Sequence, residues 1–408
     1  MLKSIIENLR RSSRPAAARK IGVVMELNSF DKGGLEKVVL DTAIALNRDR
    51  YDVTIVTAGL VGHLGKTARE CGLRVVGLTR PNEVAEYEDL LRNFKISIAI
   101  SHFSDIGYPL FAKYKIPNIT FIHNVYAFLS PEQAQAFREN DRYVDCYISV
   151  SLNATRFAER KFRISATKII TVPNGLIIPE HEARIKRSSS LSRQKFGLNS
   201  QDYVFANVAS YNLHKGHYVM ANAMEMLLKR RRDVKIVCVG NVVYRPHFEA
   251  LQKHLTERGL NEHILLPGFF PDVENVHAMS DAFLLPSFIE GWSIAMNEAM
   301  FYEKPMILTD TGASSEVIEA NDIGMVVPNE YGDVSELTCE LLDELAYTPR
   351  NYKLAPVLAQ AMDEMASNRS EWHERGKGGR RKIYSTLDFA GIVRRYERVI
   401  ENVIQNAS

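Results

Sequence analysis

The 408-residue chain is poor in cysteine and has no long apolar run. Its four cysteines, at positions 71, 146, 238 and 339, form no C-x-x-C pair. That leaves neither a disulfide framework nor zinc-type ligand spacing. Three of them lie in apolar or amphipathic runs ("VDCYISV", "KIVCVG", "ELTCELL") and are expected as buried free thiols of a reducing compartment. No stretch reaches the roughly 18 apolar residues of a membrane-spanning helix, and no signal-peptide hydrophobic region opens the chain. A formal net charge of only +2 makes no case for a nucleic-acid partner. No G-x-G-x-x-G follows the first strand pattern, which argues against a nicotinamide dehydrogenase.

What is present is alternation. Short Val- and Ile-rich runs, "KIGVVMEL", "YDVTIVT", "LRVVGL", "ISIAIS", "NITFIH", "CYISVS" and "KIITV", are separated by amphipathic stretches such as Leu35 to Asn47 and Glu132 to Glu139. Near-continuous apolar strands alternating with helices predict a parallel sheet covered on both faces. Residues 179–200, "PEHEARIKRSSSLSRQKFGLNS", are polar, serine-rich and without a strand pattern, and read as a linker. The alternation then restarts with "YVFANVAS", "DVKIVCVG", "HILLPG", "AFLLPS", "PMILTD" and "GMVVPN". The expected architecture is α/β: two doubly wound Rossmann-like domains in tandem, 1–178 and 201–385, joined by the 179–200 linker. A helix at 386–408 ends the chain, with Ile392, Val393, Tyr396, Val399, Ile400 and Val403 recurring at about 3.6 residues. Open α/β sheets bind ligands beyond the carboxyl ends of their strands, so a cleft between two such domains is where chemistry is expected. At the amino end Leu2, Ile5, Ile6 and Leu9 share a helical face, and Arg10, Arg11, Arg14, Arg19 and Lys20 follow. A short docked helix with a basic linker is the simpler reading; peripheral contact with an anionic membrane is the other.

One segment concentrates the candidates. In "PSFIEGWSIAMNEAM", residues 286–300, a buried strand ends at Pro286, "FIEGW" is a loop, Ser293 is an N-cap, and "IAMNEAMF" is a helix that stops before Pro305. Gly291 lets backbone approach a ligand. The unpaired N–H groups at Trp292, Ser293 and Ile294 open the helix, where donors and dipole favour an anion. Glu290 precedes the helix and Glu298 lies inside it, so two carboxylates can accept hydrogen bonds from hydroxyls at opposite ends of an elongated ligand. Hydroxyls at both ends with phosphate between describe a nucleoside diphosphate sugar. Glu303, Glu319 and Glu336, by contrast, read as solvated surface acids.

This pair resembles the two-glutamate signature of retaining glycosyltransferases of the GT-B fold, specifically glycosyltransferase family four (glycosyl transferases group 1). Other stretches resemble the family in the same order: "FDKGGLEKVVLDTAIAL" its glycine-rich loop and first helix, "FIHNVY" its histidine loop, and "VASYNLHKGHYVMANAM" its phosphate-binding loop. "LLPGFFPDVENVHAMSDAFLLPS" leads into the glutamate pair, and "TLDFAGIVRRYERVI" resembles the closing helix, which in this fold returns to the N-terminal domain. The resemblance covers about residues 20 to 405.

The resemblance implies roles. Glu290 would hold hydroxyls of the donor sugar and Glu298 the nucleotide ribose. The backbone at Gly291, Trp292, Ser293 and Ile294 would approach sugar and diphosphate, and Lys215 would neutralise the departing diphosphate. Gly33 and Gly34 would let the N-terminal loop come close, His123 would hydrogen-bond the transferred sugar, and Gly268 and Phe269 would flank the base. Ser210 stands where many relatives carry arginine, five residues before Lys215, and His214 or a residue of the other domain is the candidate for the missing charge. The chain has no D-x-D, the pair with which glycosyltransferases of the other large fold hold a divalent metal. No metal and no cofactor are therefore expected.

The expected activity is retaining, metal-independent transfer of a hexose-type sugar from a nucleotide donor to a hydroxyl of a carbohydrate or lipid-linked acceptor. It belongs to polysaccharide, lipopolysaccharide or glycolipid synthesis, in the cytoplasm at the inner face of the membrane. The alternative from another class is a non-catalytic scaffolding subunit that keeps the fold, which Ser210 alone favours.

Overall fold

The computed structural model describes residues 20–187 and 193–407. The amphipathic amino-terminal pattern from Leu2 to Arg19 lies outside them. Two compact units divide the chain. The first takes residues up to His123, Pro131–Gly175 and the chain from Phe389 on; the second takes Asn124–Ser130 and Leu176–Asp388.

In the first unit the strands are β1 (Ile21–Leu27), β2 (Tyr51–Thr57), β3 (Arg74–Gly77), β4 (Ile98–His102), β5 (Asn118–Ile122), β6 (Cys146–Ser149) and β7 (Ile169–Thr171). They form one parallel sheet in the order β3-β2-β1-β4-β5-β6-β7. Strand β1 sits inside it, so its apolar run is buried on both faces: Val23, Val24 and Met25 are inaccessible to solvent. The closing helix Phe389–Ala407 belongs to this unit. Its buried stripe is Ile392, Val393, Tyr396, Val399, Ile400 and Val403. Tyr396 meets Phe121 of β5 edge to face, and Glu401 accepts a hydrogen bond from Tyr51 at 2.9 Å and pairs with Arg50 at 2.9 Å.

One residue of β1 breaks its apolar pattern. Glu26 is fully buried, and desolvation outweighs its hydrogen bonds, so its carboxyl is pushed up to about 7. The donor count agrees. Ser101 lies 3.0 Å from Glu26 Oε1 and 3.1 Å from Asn118 Oδ1, yet its hydroxyl has one hydrogen. A protonated Glu26 supplies the second, while the Gly107 N–H donates to Oε2 at 3.0 Å. A raised carboxyl stabilises the fold below its unfolded value and loses that contribution as pH rises through the folded one. The fold should therefore weaken between about pH 5 and 8 through this group, by about 2–3 kcal/mol. Glu26→Gln removes that component: chemical denaturation of wild type and variant at several pH values should show their stability difference shifting in the variant's favour across this window. A pH-independent difference would show that Glu26 is ionised in the fold.

The second unit carries β8 (Tyr203–Val208), β9 (Val234–Val239), β10 (Ile264–Gly268), β11 (Ala282–Leu285), β12 (Met306–Thr309) and β13 (Gly324–Val327). Its parallel sheet runs β10-β9-β8-β11-β12-β13. Both sheets thus reverse direction once, at β1/β4 and at β8/β11, and those switch points open a crevice at the carboxyl ends of the strands. The polar stretch read as a linker differs from expectation. Ile178–Arg187 is a helix, with His181 buried and packed against Phe301 and Tyr302. The polar, serine-rich composition of 179–200 concealed this helix, and its serine run lies outside the described residues. The helix Arg369–Thr386, despite its "GKGG", packs where the missing side chains are needed: a Cβ at Gly379 would stand 2.9 Å from the Met300 Cα. No helix of the described residues is long and apolar enough to cross a membrane. Cys146 and Cys238 are buried and Cys71 and Cys339 half-buried, all four as free thiols.

Candidate active site

In the second unit the site is built by two loops at the β8/β11 switch point. The loop after β8 passes Ser210 and Tyr211 into a short 3-10 turn, Leu213–Lys215. Asn212 caps that turn, its Oδ1 accepting from the His214 N–H at 3.1 Å and from the Tyr347 hydroxyl at 3.0 Å. Gly216 follows at φ +74° and starts the helix His217–Leu227. A Cβ at Gly216 would lie 2.0 Å from the carbonyl oxygen of Pro286, so glycine is what lets the two loops touch. The Phe288 N–H donates to the His214 carbonyl at 2.8 Å and fastens the second loop to the first. The second loop is further held by hydrogen bonds to its own carbonyls, from Thr309 to that of Ser287 and from Tyr331 to that of Phe288 at 2.7 Å.

On this frame Lys215 and Glu290 meet. The Lys215 ammonium donates to Glu290 Oε1 at 2.6 Å, and the Ser287 hydroxyl donates to the same oxygen at 2.8 Å. The side chains are 21% and 12% exposed, so the pair is mostly withdrawn from water yet open to a ligand. The sequence assigned these two residues to different parts of a donor and did not foresee their contact. The helix Ile294–Phe301 starts as predicted: Ser293 is its N-cap and accepts from the Met296 N–H at 3.3 Å. Gly312, at φ +57°, packs against the Glu290 and Gly291 backbone from below, where a Cβ would lie 2.6 Å from the Gly291 carbonyl. The Trp292 indole points inward, buried, with its N–H donating to Asn297 Oδ1 at 2.9 Å. What Trp292 can offer a ligand is therefore backbone.

Glu298 opens the second turn of that helix and is half-buried. Its surroundings include a residue the sequence reading passed over. Arg184, on the helix Ile178–Arg187, pairs with Glu180 and lies 3.9 Å from Glu274. Burial disfavours the Arg184 charge, but the carboxylates of Glu180, Glu274 and Glu298 outweigh it and hold the guanidinium above its ordinary value. His214 does not replace the arginine absent at Ser210. Burial pulls its pKa down to about 4 against the opposing pull of Asp343, whose Oδ1 lies 3.7 Å from Nε2, so the imidazole is neutral at neutral pH. Two strands away Gly268, at φ +85°, donates its N–H to the Tyr211 hydroxyl at 3.2 Å. Phe269 beyond it is 64% exposed, a ring available for stacking.

In the first unit Gly33 and Gly34 begin the helix Gly34–Ala45, which has no side-chain cap. Gly33 is extended, and a Cβ there would meet the Glu36 carboxylate; around Gly34 there is open space. His123 lies just past β5, at the carboxyl end of the sheet. Its Nε2 is 2.9 Å from Nδ1 of His102, the last residue of β4. Burial lowers His123 to about 3, so it is uncharged across the neutral range.

Two doubly wound sheets with ligand loops at their switch points define the GT-B class of glycosyltransferase. The family described as Glycosyltransferase Family 4 matches residues 32–178, and Glycosyl transferases group 1 matches residues 188–346. The chain belongs to the GT-B glycosyltransferases of the family 4 type. It is 24% identical to the putative glycosyltransferase EpsD of Bacillus subtilis over 38% of this chain and only 40% of that protein. It is 24% identical to the capsular polysaccharide biosynthesis glycosyltransferase CapH of Staphylococcus aureus over 73% of this chain and 83% of that one. Among solved structures, HepE of Anabaena in complex with UDP and glucose superposes with a TM-score of 0.76 at 16% identity, covering 94% of this chain and all of that one.

Proposed function

We propose that the chain is a retaining, metal-independent hexosyltransferase that moves a sugar from a nucleoside diphosphate donor to an acceptor hydroxyl in polysaccharide or glycolipid synthesis. The observation that carries this reading is the Lys215–Glu290 pair on two clasped loops at a sheet switch point. A cation for a departing diphosphate and a carboxylate for sugar hydroxyls occupy one spot, beside the N-terminus of the helix Ile294–Phe301. HepE, with UDP and glucose bound, and CapH, in capsular polysaccharide synthesis, are similar proteins consistent with that donor and that product class.

In this reaction the bond from the anomeric carbon to the diphosphate breaks, and Lys215 with the helix start receives the charge that builds on the leaving oxygen. The acceptor hydroxyl attacks on the face being vacated, which retains the anomeric configuration, and a phosphate oxygen of the leaving group takes its proton. Glu290 holds the sugar hydroxyls, Glu298 the ribose, and Phe269 with Gly268 the base. On the first unit His123 serves the transferred sugar, and Gly33 and Gly34 admit diphosphate or acceptor. No step calls for a metal or a cofactor. A polysaccharide or lipid-linked acceptor is the partner this assigns.

A thermal-shift panel of nucleotides and nucleotide sugars tests the donor. A ligand at a hundredfold excess over its Kd stabilises the native state by about 2.7 kcal/mol, which raises the midpoint by roughly 5–10 °C. Nucleoside diphosphates should shift it and nucleosides should not. Binding without any donor hydrolysis or transfer would favour the scaffolding alternative, for which the missing cation at Ser210 is the one argument; no shift with any nucleotide would reject the donor site.

A further inference from the structure

Strands β4 and β5 are parallel neighbours in which His102 is in register with Phe121. His123 comes two residues later and so falls on the same face. The three rings pack against one another pairwise: His102 on Phe121 at 4.6 Å, Phe121 on His123 at 5.3 Å, and His102 on His123 at 5.1 Å between centroids. His102 is 1% exposed. Burial, and secondarily the neighbouring His123, holds it well below the ordinary histidine value, so both rings are neutral. Two neutral imidazole nitrogens 2.9 Å apart share a single hydrogen, and either ring can own it.

The far side of His102 decides between the two arrangements. Its Nε2 is buried and has no hydrogen-bond partner among the described residues. If His123 donated through Nε2–H, His102 would carry its own proton on Nε2 and bury an unpaired N–H. If His102 donates through Nδ1–H, what is left unpaired is only a lone pair. Orphaned buried N–H groups are the rarer and costlier defect. We infer that His102 is a positioning residue: it donates Nδ1–H to Nε2 of His123 and so fixes His123 as the tautomer with its proton on Nδ1.

The consequence is chemical. A His123 fixed in this way meets any group at Nδ1 as a hydrogen-bond donor and cannot take a proton there. On the reading that His123 serves the transferred sugar, an assignment this inference rests on only for its catalytic consequence, the ring donates to a sugar hydroxyl or phosphate oxygen and is not a general base.

The test uses the full chain labelled with 15N histidine, with His123 assigned by the signal lost in His123→Asn. Two-bond proton–nitrogen correlation should show His123 protonated on Nδ1. His102→Leu should return it toward the Nε2–H form that free histidine prefers. His102→Asn, whose amide nitrogen stands where Nδ1 stood, should keep the Nδ1–H form. Wild-type protein showing His123 as Nε2–H overturns the inference, and that single spectrum decides even where His102→Leu fails to fold. Turnover should fall about tenfold or more in His102→Leu and recover in His102→Asn, with KM for the donor changing less than kcat. A tautomer that moves as expected while turnover stays unchanged leaves the inference standing and removes His123 from the reaction.

Discussion

Glu290→Ala should lower donor turnover by about 100- to 1,000-fold, the range seen when one preorganised electrostatic group is lost from a reacting centre. The carboxylate accepts from Lys215 at 2.6 Å and from Ser287 at 2.8 Å, so its removal has two effects. It takes away the acceptor for sugar hydroxyls, and it frees the ammonium from the position in which it awaits the diphosphate. Because the pair is mostly withdrawn from water, leaving the Lys215 ammonium unpaired should also lower the stability of the fold. Lys215→Met should cost a similar factor. The double variant should cost much less than the product of the two, because residues that act as a unit are not additive. Initial rates of nucleoside diphosphate release, read beside denaturation midpoints, check all three proteins. Wild-type turnover in Glu290→Ala would end the assignment of this pair to catalysis.

Gly216→Ala should be strongly destabilising. A side chain at φ +74° costs about 1–2 kcal/mol by itself. Here the added carbon would also stand 2.0 Å from the Pro286 carbonyl, a backbone atom that cannot swing away. Separating the loops breaks the Phe288–His214 hydrogen bond and pulls Lys215 from Glu290. A total of about 3 kcal/mol or more is expected, together with loss of nucleotide binding. Gly259→Ala is the control: its φ of +65° carries similar backbone strain, but nothing lies within 4 Å of the new carbon. Urea denaturation should separate the two variants by about 1–2 kcal/mol or more, and equal midpoints would show that the loop contact is not needed.

How far the sequence discloses this molecule depends on which forces are local. All the strands from β1 to β13 were visible as apolar runs, because strands of a parallel sheet covered by helices favour Val, Ile and Leu. Ser293 as N-cap and the placement of Glu290 before the helix were equally legible, since capping chemistry acts within four residues. Contacts across the sheet were not. The His102–His123 pair depends on β4 lying beside β5, and the Lys215–Glu290 pair on β8 lying beside β11, 75 residues apart in the chain. Nothing in the sequence sets Glu26 apart from a charged residue at the end of a strand; only the layers over β1 show that it is sealed from water. The helix Ile178–Arg187 was hidden by the serines beyond it, and Arg184 with it. The pattern gave the closing helix its apolar stripe but no partner, and the structure supplies one in Tyr51, Arg50 and Phe121.

That closing helix also sets an order of events during synthesis. The first unit owns the stripe that covers Phe121 and the carboxylate that receives Tyr51, yet both are translated only after residue 388. Its sheet must therefore wait, with an apolar face uncovered, while the ribosome makes the whole of the second unit. Truncation before Phe389 leaves the nascent first unit permanently in that waiting state, exposed to chaperones and proteases, even though every strand of both sheets has already been made.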